Sequence, residues 1–256
     1  MTLERDLRQR LQEKRILLMT HLVLGYPSLD VNYQVIAQMA ENGVDCIELQ
    51  IPFSEPMADG PVILRANQDA LSAGIRVRDC FDFAARVVRD FPGVHFLFMT
   101  YYNIVFRYGL DRFVDDAARI GIRGFIIPDL PPEEGREYLR CSRDKNLAAV
   151  MFFTPTSTDA RMRQVAVQGG GFVYCVARRG VTGRHTEMDA GLLHYLERCR
   201  AATDLPLAVG FGIRSREDVA MLEGRADMAV IGTATIRLVD EQGPAAVGPF
   251  IRDLRG

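Results

Sequence analysis

Lysine is scarce in this sequence of 256 residues, which contains only Lys14 and Lys145. Both precede predicted β-strands, whereas a Schiff-base lysine in a parallel barrel would have to lie at the carboxyl end of a strand. The sequence also lacks a block of basic residues and an apolar run of about 18 residues. These absences exclude a Schiff-base aldolase mechanism, and they predict a protein that binds neither nucleic acid nor a membrane.

Paired cysteines and clustered histidines are also missing. The five cysteines are scattered without a CxxC pair, which favours reduced thiols over a disulfide or metal role. The four histidines show no HxH or ExxH spacing, so we expect no metal site. The amino-terminal segment 1–15 is charged and helical in pattern, unlike a signal peptide. The expected location is therefore cytoplasmic.

Eight short apolar runs alternate with amphipathic, helical patterns along the chain. Both alternating positions of each run are apolar, as expected for parallel strands that are buried on both faces. The predicted strands are Ile16–Leu24, Val44–Ile51, His95–Met99, Gly124–Ile127, Ala148–Phe153, Phe172–Val176, Pro206–Val209 and Met228–Ile231. Helix-start signals occur at Ser28 with Asp30, at Ser157 to Asp159, and at Ser215 followed by Glu217 and Asp218. We predict an α/β fold, a single (β/α)8 TIM-barrel domain over 1–256 with an extra amino-terminal helix.

Two carboxylates are associated with the second predicted strand, one near its carboxyl end and one in the loop that follows it. Glu48 lies inside an apolar run, where a carboxylate is costly unless it is paired or protonated. Asp59 lies in a loop rich in proline and glycine, and we expect it to be exposed there. A salt bridge to a neighbouring strand is the structural alternative for Glu48, and a helix cap is the alternative for Asp59. Together the two residues predict general acid–base chemistry under a closing loop.

Glycines after the seventh and eighth predicted strands indicate a phosphate site. Gly212 follows strand seven, and Gly232 and Thr233 follow strand eight at what looks like a helix start. Glycine lets backbone N–H groups approach an anion, and a helix amino terminus attracts it. The loop 178–183 after strand six either completes the cradle through Gly183 or forms a second lid, and a flexible surface loop is the alternative.

Several motifs resemble the tryptophan synthase α chain over nearly the whole sequence. The matching segments are LGYPS (24–28), IELQIPFSEPMADGP (47–61), MTYYNIVFRYG (99–109), IIPDLPPEE (126–134), FVYCVARRGVTG (172–183), GFGI (210–213) and GTA (232–234). The resemblance implies a retro-aldol lyase that cleaves indole-3-glycerol phosphate to indole and glyceraldehyde 3-phosphate in tryptophan biosynthesis.

The resemblance also implies roles for residues. Glu48 would be the acid–base group, and Asp59 would bind the indole N–H. The remaining substrate contacts would be Tyr174, Phe211, Met99 and Ile126 around the indole, and Gly183, Gly212, Gly232 and Thr233 around the phosphate. The family implies no cofactor in this chain and a pyridoxal-phosphate β chain as partner in an α2β2 complex, met by Pro52, Glu55 and Pro56.

Five positions depart from the usual family pattern. His21 stands where the family commonly has an aromatic or apolar residue, and Gln50 stands where glycine is usual. Glu55 replaces the usual aspartate, and Ala177 replaces serine before the loop after strand six. Thr233 also stands where serine is usual. The departures leave two further interpretations open. One is a related barrel lyase or isomerase for another phosphorylated aromatic compound, and the other is a regulatory subunit with little activity alone.

Overall fold

The computed structural model describes residues 2–176, 190–210 and 212–256. In this part of the chain eight parallel strands close into a barrel in sequential order. The strands are β1 Leu17–Val23, β2 Cys46–Gln50, β3 His95–Met99, β4 Gly124–Ile126, β5 Ala148–Phe153, β6 Val173–Val176, β7 Leu207–Gly210 and β8 Met228–Ile231. Each predicted strand matches an observed one to within two residues at either end, so the predicted TIM barrel is confirmed.

Helices surround the barrel. Those within the described ranges are α1 Leu3–Arg10, α2 Leu29–Glu41, α3 Pro61–Ser72, α4 Val77–Asp90, α5 Tyr102–Tyr108, α6 Leu110–Ile120, α7 Arg136–Asp144, α8 Asp159–Ala166, α9 Ala190–Ala202, α10 Arg216–Leu222, α11 Thr233–Gln242 and α12 Val247–Arg255, with a 3-10 turn at Pro244–Ala246. None of these helices is long and apolar enough to cross a membrane.

The three predicted helix starts are confirmed. The Ser28 hydroxyl caps α2, and Ser215 forms a capping box at the start of α10. Within the third predicted start, 157–159, Thr158 caps α8, whose first residue is Asp159. The Ser157 hydroxyl lies 2.9 Å from that of Thr154 and is engaged within the turn before the helix.

Alternation along β2 decides which side chains face the interior of the barrel. Ile47 and Leu49 pack in the large apolar cluster between strands and helices, whereas Cys46 packs in a separate cluster of inward-facing side chains. Successive residues of a strand point to opposite faces. Glu48 and Gln50 therefore share the inward orientation of Cys46, which puts two polar side chains inside the barrel near the carboxyl end of β2.

The amino-terminal end of the barrel is closed by α1. Leu3 and Leu7 of this helix are buried and belong to the same inner cluster as Leu17 and Met19 of β1. The extra helix that the sequence predicted thus fills the end opposite to the polar residues of β2. Access to the barrel interior is left to the carboxyl-terminal mouth.

A fully buried carboxylate, that of Asp45, holds the amino-terminal end together. It accepts hydrogen bonds from Lys14 at 2.5 Å, from Arg255 at 2.6 Å and from the backbone N–H of Leu18 at 3.0 Å. Burial alone would raise the pKa of Asp45, but these donors and cations outweigh it and lower the pKa below its usual value. Lys14 therefore has a structural role, far from the carboxyl-terminal mouth, as its position in the sequence predicted.

We expect Asp45→Asn to destabilise the protein by about 3 kcal/mol, because it breaks a buried ion pair. For a chain of this size that corresponds to a fall in Tm of about 10 °C. Since the folded-state pKa is lowered, the contribution of Asp45 is present above about pH 4 and is lost as the pH falls further.

Thermal melting of both proteins from pH 7 down to pH 3 measures this effect. Asp253→Asn, at an exposed aspartate on α12, is the control and should change stability by less than about 0.5 kcal/mol. Equal melting temperatures for the Asp45 variant and the control at pH 7 would contradict the assigned role.

Candidate active site

The Glu48 carboxylate is buried, with only 3% of the residue exposed. Its strand neighbour in the β1–β2 register is His21, which is also buried. The Nδ1 atom of His21 lies 3.0 Å from Oε2 of Glu48. The pairing of Glu48 with a neighbouring strand, one of the two interpretations of the sequence, is therefore observed.

The other carboxylate oxygen of Glu48 remains available. Oε1 is buried and has no hydrogen-bond partner among the residues that the structure describes. A buried carboxylate oxygen without a donor is costly and calls for an explanation. Glu48 therefore has one oxygen, Oε2, paired with His21 and one, Oε1, without a partner, and the Tyr174 phenol lies close to the same carboxyl group.

Gln50 connects this pair to the second carboxylate. Its Oε1 lies 3.0 Å from Nε2 of His21, and its Nε2 donates to Oδ2 of Asp59 at 2.8 Å. Asn67 on α3 adds a donor to the same Gln50 oxygen at 3.3 Å. The sequence analysis predicted that Glu48 and Asp59 act together at the carboxyl-terminal mouth of the barrel. In the structure a continuous chain of hydrogen bonds joins them.

Asp59 is not the exposed loop residue that we predicted from its sequence context. It is half-buried, and besides Gln50 it accepts a hydrogen bond from the Tyr101 hydroxyl at 3.1 Å. It does not cap α3 either, since the cap residue is Gly60 and no side chain caps that helix. The prediction failed because the loop folds back onto the strand ends.

Tyr101 fixes the loop that contains Asp59. Its hydroxyl accepts a hydrogen bond from the backbone N–H of Ala58 at 3.1 Å, and its ring stacks on Phe53 with centroids 5.0 Å apart. Burial raises the pKa of Asp59, and the charge of His21 with the hydrogen bonds from Gln50 and Tyr101 opposes that rise only in part. The sequence analysis missed Tyr101, although its place after β3 was a signal.

Apolar side chains line the space beside the carboxylates. Met99 and Ile126 are neighbours in the β3–β4 register, and they belong with the half-buried Tyr174 to the inner cluster. Burial, together with the negative charges of Glu48 and Asp59, raises the pKa of Tyr174 well above its usual value. Three of the four predicted indole contacts thus lie in one apolar cluster, and the fourth, Phe211, is outside the described residues.

The predicted phosphate residues lie at the ends of β7 and β8. Gly212 has a φ of +88°, a left-handed conformation that favours glycine. Gly232 precedes α11, whose first residue is Thr233 and whose first turn has neither a side-chain cap nor an acidic residue. Gly183 and the rest of the loop after β6, including Ala177, are outside the described residues.

The predicted partner loop has both buried and exposed residues. Pro52 and Pro56 are buried, whereas Glu55 is exposed. The most exposed apolar side chains nearby are Met57 at 76% and Phe106, on α5, at 72%. Both residues follow the carboxyl ends of strands, Met57 after β2 and Phe106 after β3.

Comparison with known proteins agrees with this architecture. The sequence profile of the tryptophan synthase alpha chain family matches residues 7–247. The alpha chain of Desulfotalea psychrophila is 60% identical over 255 residues, which is 100% of both chains, and that of Syntrophotalea carbinolica is 53% identical over 99% of this chain and 100% of its own.

Solved structures give the same result. A chain of tryptophan synthase from M. tuberculosis superposes with a TM-score of 0.89 and 31% identity, covering 99% of this chain and 96% of that one. A chain of the tryptophan synthase complex from Pyrococcus furiosus gives a TM-score of 0.84 and 28% identity, covering 93% and 96%. The chain described here belongs to the tryptophan synthase alpha chain family, a family of lyases of tryptophan biosynthesis.

Proposed function

We propose that this chain cleaves indole-3-glycerol phosphate to indole and glyceraldehyde 3-phosphate, with Glu48 and Asp59 as its catalytic residues. The observation that supports this most strongly is the free, buried Oε1 of Glu48 beside an apolar space. An apolar space suits the indole ring, and a carboxyl oxygen that faces it suits proton transfer to and from the substrate.

Glu48 serves both proton transfers of the reaction. Its carboxyl group gives a proton to the indole ring carbon that bears the side chain, which leaves a carboxylate and a positive indolenine. The carboxylate then takes the proton of the adjacent side-chain hydroxyl. The carbon–carbon bond breaks, its electrons neutralise the indolenine, and the hydroxyl carbon becomes the aldehyde. No other acid or base is needed, since the proton given is replaced by the proton taken.

Asp59 stabilises the positive intermediate. A carboxylate that accepts the indole N–H strengthens its interaction as positive charge develops on the ring, which lowers the barrier. Gln50 and Tyr101 both donate to Oδ2 of Asp59, so its other oxygen, Oδ1, is the one to accept the indole N–H. Met99, Ile126 and Tyr174 would hold the ring in plane between the two carboxylates, and Phe211 is proposed as a further wall.

The phosphate would bind to backbone N–H groups of Gly212, Gly232 and Thr233, with Gly183 completing the cradle. The uncapped start of α11 supports this assignment, because its N–H groups are free to receive an anion. By contrast, the start of α10 is already satisfied by its Ser215 capping box. The phosphate therefore belongs at α11 in this proposal.

The proposed partner is a tryptophan synthase β chain that holds pyridoxal phosphate, in an α2β2 complex. Support comes from the exposed Met57 and Phe106 and from the exposed Glu55 on the same mouth. Pro52 and Pro56 would shape this loop from its buried side. The cofactor is assigned to the partner because neither of the two lysines of this chain lies at the mouth, where an aldehyde cofactor would need an amine.

Replacement of Glu48 tests the function directly. We expect Glu48→Gln to reduce indole release from indole-3-glycerol phosphate by ~10²-fold or more, because no other group replaces its proton transfers. The affinity for glycerol phosphate should stay the same, since the substitution leaves in place the backbone N–H groups that are proposed to hold the phosphate. Glu41→Gln, an exposed site at the end of α2, is the control.

Indole release by each protein is measured alone and with a cognate β chain. Turnover of the Glu48 variant within a few-fold of wild type would remove Glu48 from the mechanism. A wild-type chain that is inactive under both conditions would refute the proposed reaction and favour a purely regulatory subunit.

A second test addresses the phosphate site. Gly212→Val should weaken glycerol phosphate binding by ~10-fold or more, or about 1.4 kcal/mol, because the side chain blocks the approach of the anion. Gly74→Val is a matched control. Its φ of +87° imposes the same backbone strain, and a side chain there would meet only open space.

Isothermal titration with glycerol phosphate separates the two variants. Equal affinities for both would show that the effect is backbone strain. Replacement of Arg178 and Arg179 by alanine should matter less than Gly212→Val. The reverse order would assign the phosphate to guanidinium groups instead of the glycine backbone.

A further inference from the structure

We propose that His21 acts as an imidazolium counterion that stabilises the Glu48 carboxylate left after proton transfer to the substrate and, through Gln50, couples it to Asp59. The inference deepens the proposed function and rests on it. The observations are the two contacts of the His21 ring, one to Glu48 and one to Gln50, each 3.0 Å long and both buried. His21 is thus a positioning residue that reaches the substrate only through Glu48.

The backbone partners of Asn67 fix the direction of the hydrogen bonds that Gln50 and His21 make. Asn67 accepts a hydrogen bond from the N–H of Phe53 at 2.9 Å and donates one to the carbonyl of Ile63 at 2.8 Å. These bonds fix its amide, so its nitrogen faces Gln50 at 3.3 Å. Gln50 must therefore present its oxygen to Asn67 and to His21, and its nitrogen to Asp59.

This arrangement fixes one proton on His21. Because the Gln50 oxygen only accepts, Nε2 of His21 has to be the protonated nitrogen that donates to it. The other ring nitrogen, Nδ1, lies 3.0 Å from Oε2 of Glu48, and a lone pair facing a carboxylate oxygen at that distance would be repulsive. When Glu48 is ionised, both nitrogens therefore bear protons and the ring is a cation.

The surrounding charges favour the cation. Glu48 and Asp59 are the acidic groups joined to the ring by hydrogen bonds, and Tyr174 on β6 lies beside Glu48 as a neutral phenol. Burial lowers the pKa of His21, but the hydrogen bond to Glu48 and the charges of Glu48 and Asp59 outweigh it, so the pKa is raised above 6.5.

The cation is useful at one moment of the reaction. When Oε1 of Glu48 has given its proton to the indole ring, a carboxylate is left in a low-dielectric interior, where it is costly. The imidazolium already donates to Oε2, so it stabilises this carboxylate without any movement. Two pairs of opposite charge result: the His21 cation faces the Glu48 carboxylate, and the Asp59 carboxylate faces the positive indolenine.

Two substitutions separate charge from shape. His21→Phe removes both the cation and the hydrogen bond, whereas His21→Asn can keep an N–H near the position of Nδ1 but cannot be charged. We measure kcat, KM and the pH profile of indole release, with melting temperature and glycerol phosphate affinity as checks on folding. If the phenylalanine variant does not fold, the asparagine variant alone decides the question.

Loss of the cation should change the alkaline side of the kcat profile in both variants. The fall of the wild-type rate at alkaline pH, where His21 loses its proton, should disappear. In His21→Phe, kcat should fall by ~10-fold, and KM should change less, because the phosphate cradle is unaffected.

A uniform loss of rate in which the alkaline fall is retained would mean that His21 only shapes the pocket and would overturn the inference. In that case an inactive Glu48→Gln variant beside an active wild type would leave the proposed function intact. A wild-type protein that never releases indole would instead overturn the function, and the inference with it. Disappearance of the alkaline fall in the asparagine variant supports the charge itself, since that variant keeps the hydrogen bond.

Discussion

The hydrogen bond between His21 and Glu48 is the interaction on which the rest of the site depends. A carboxylate inside an apolar barrel costs several kcal/mol unless a charge or a set of donors compensates it. The barrel provides the partner through its geometry, since the β1–β2 register sets His21 directly beside Glu48 and alternation turns both inwards. One oxygen of Glu48 is thereby satisfied, and the other, which has no partner among the described residues, is the one that we propose acts on the substrate.

The two ends of the barrel differ in how completely their buried carboxylates are hydrogen-bonded. At the amino-terminal end the buried Asp45 is satisfied by cations and a backbone N–H, and α1 fills the interior. At the carboxyl-terminal end one oxygen of Glu48 has no partner among the described residues, and Asp59 is half-buried with a raised pKa. In the proposed function, the chemistry takes place at this second end.

Most of the fold could be predicted from the sequence because each strand is marked by a local apolar run. The strand bounds, the barrel and the caps at Ser28 and Ser215 all depend on residues that are close in the chain. The site was harder, because contacts between strands depend on register. His21 and Gln50 were recognised as departures from the family, yet only the observed register shows that they touch Glu48 and Asp59.

Asp59 shows a different limit of sequence-based prediction. Proline and glycine correctly indicated a loop, but they cannot show that a tyrosine 42 positions later, Tyr101, anchors it. The proposed roles at Phe211, Gly183 and the partner surface remain predictions that rest on the family resemblance. What the structure adds is a physical reason for two unusual residues, since His21 and Gln50 together join the carboxylates.

The central claim, that Glu48 is balanced by a charged His21, is tested most directly by the protonation of the His21 ring itself. Nitrogen NMR of the protein labelled with 15N-histidine, assigned with His21→Asn, reports whether one or both ring nitrogens bear protons. We expect both to be protonated at pH 6.5, with a pKa above 6.5 that falls when Glu48 is replaced by glutamine. A neutral ring in a single tautomer at pH 6.5, with a pKa that does not respond to Glu48→Gln, would contradict the account.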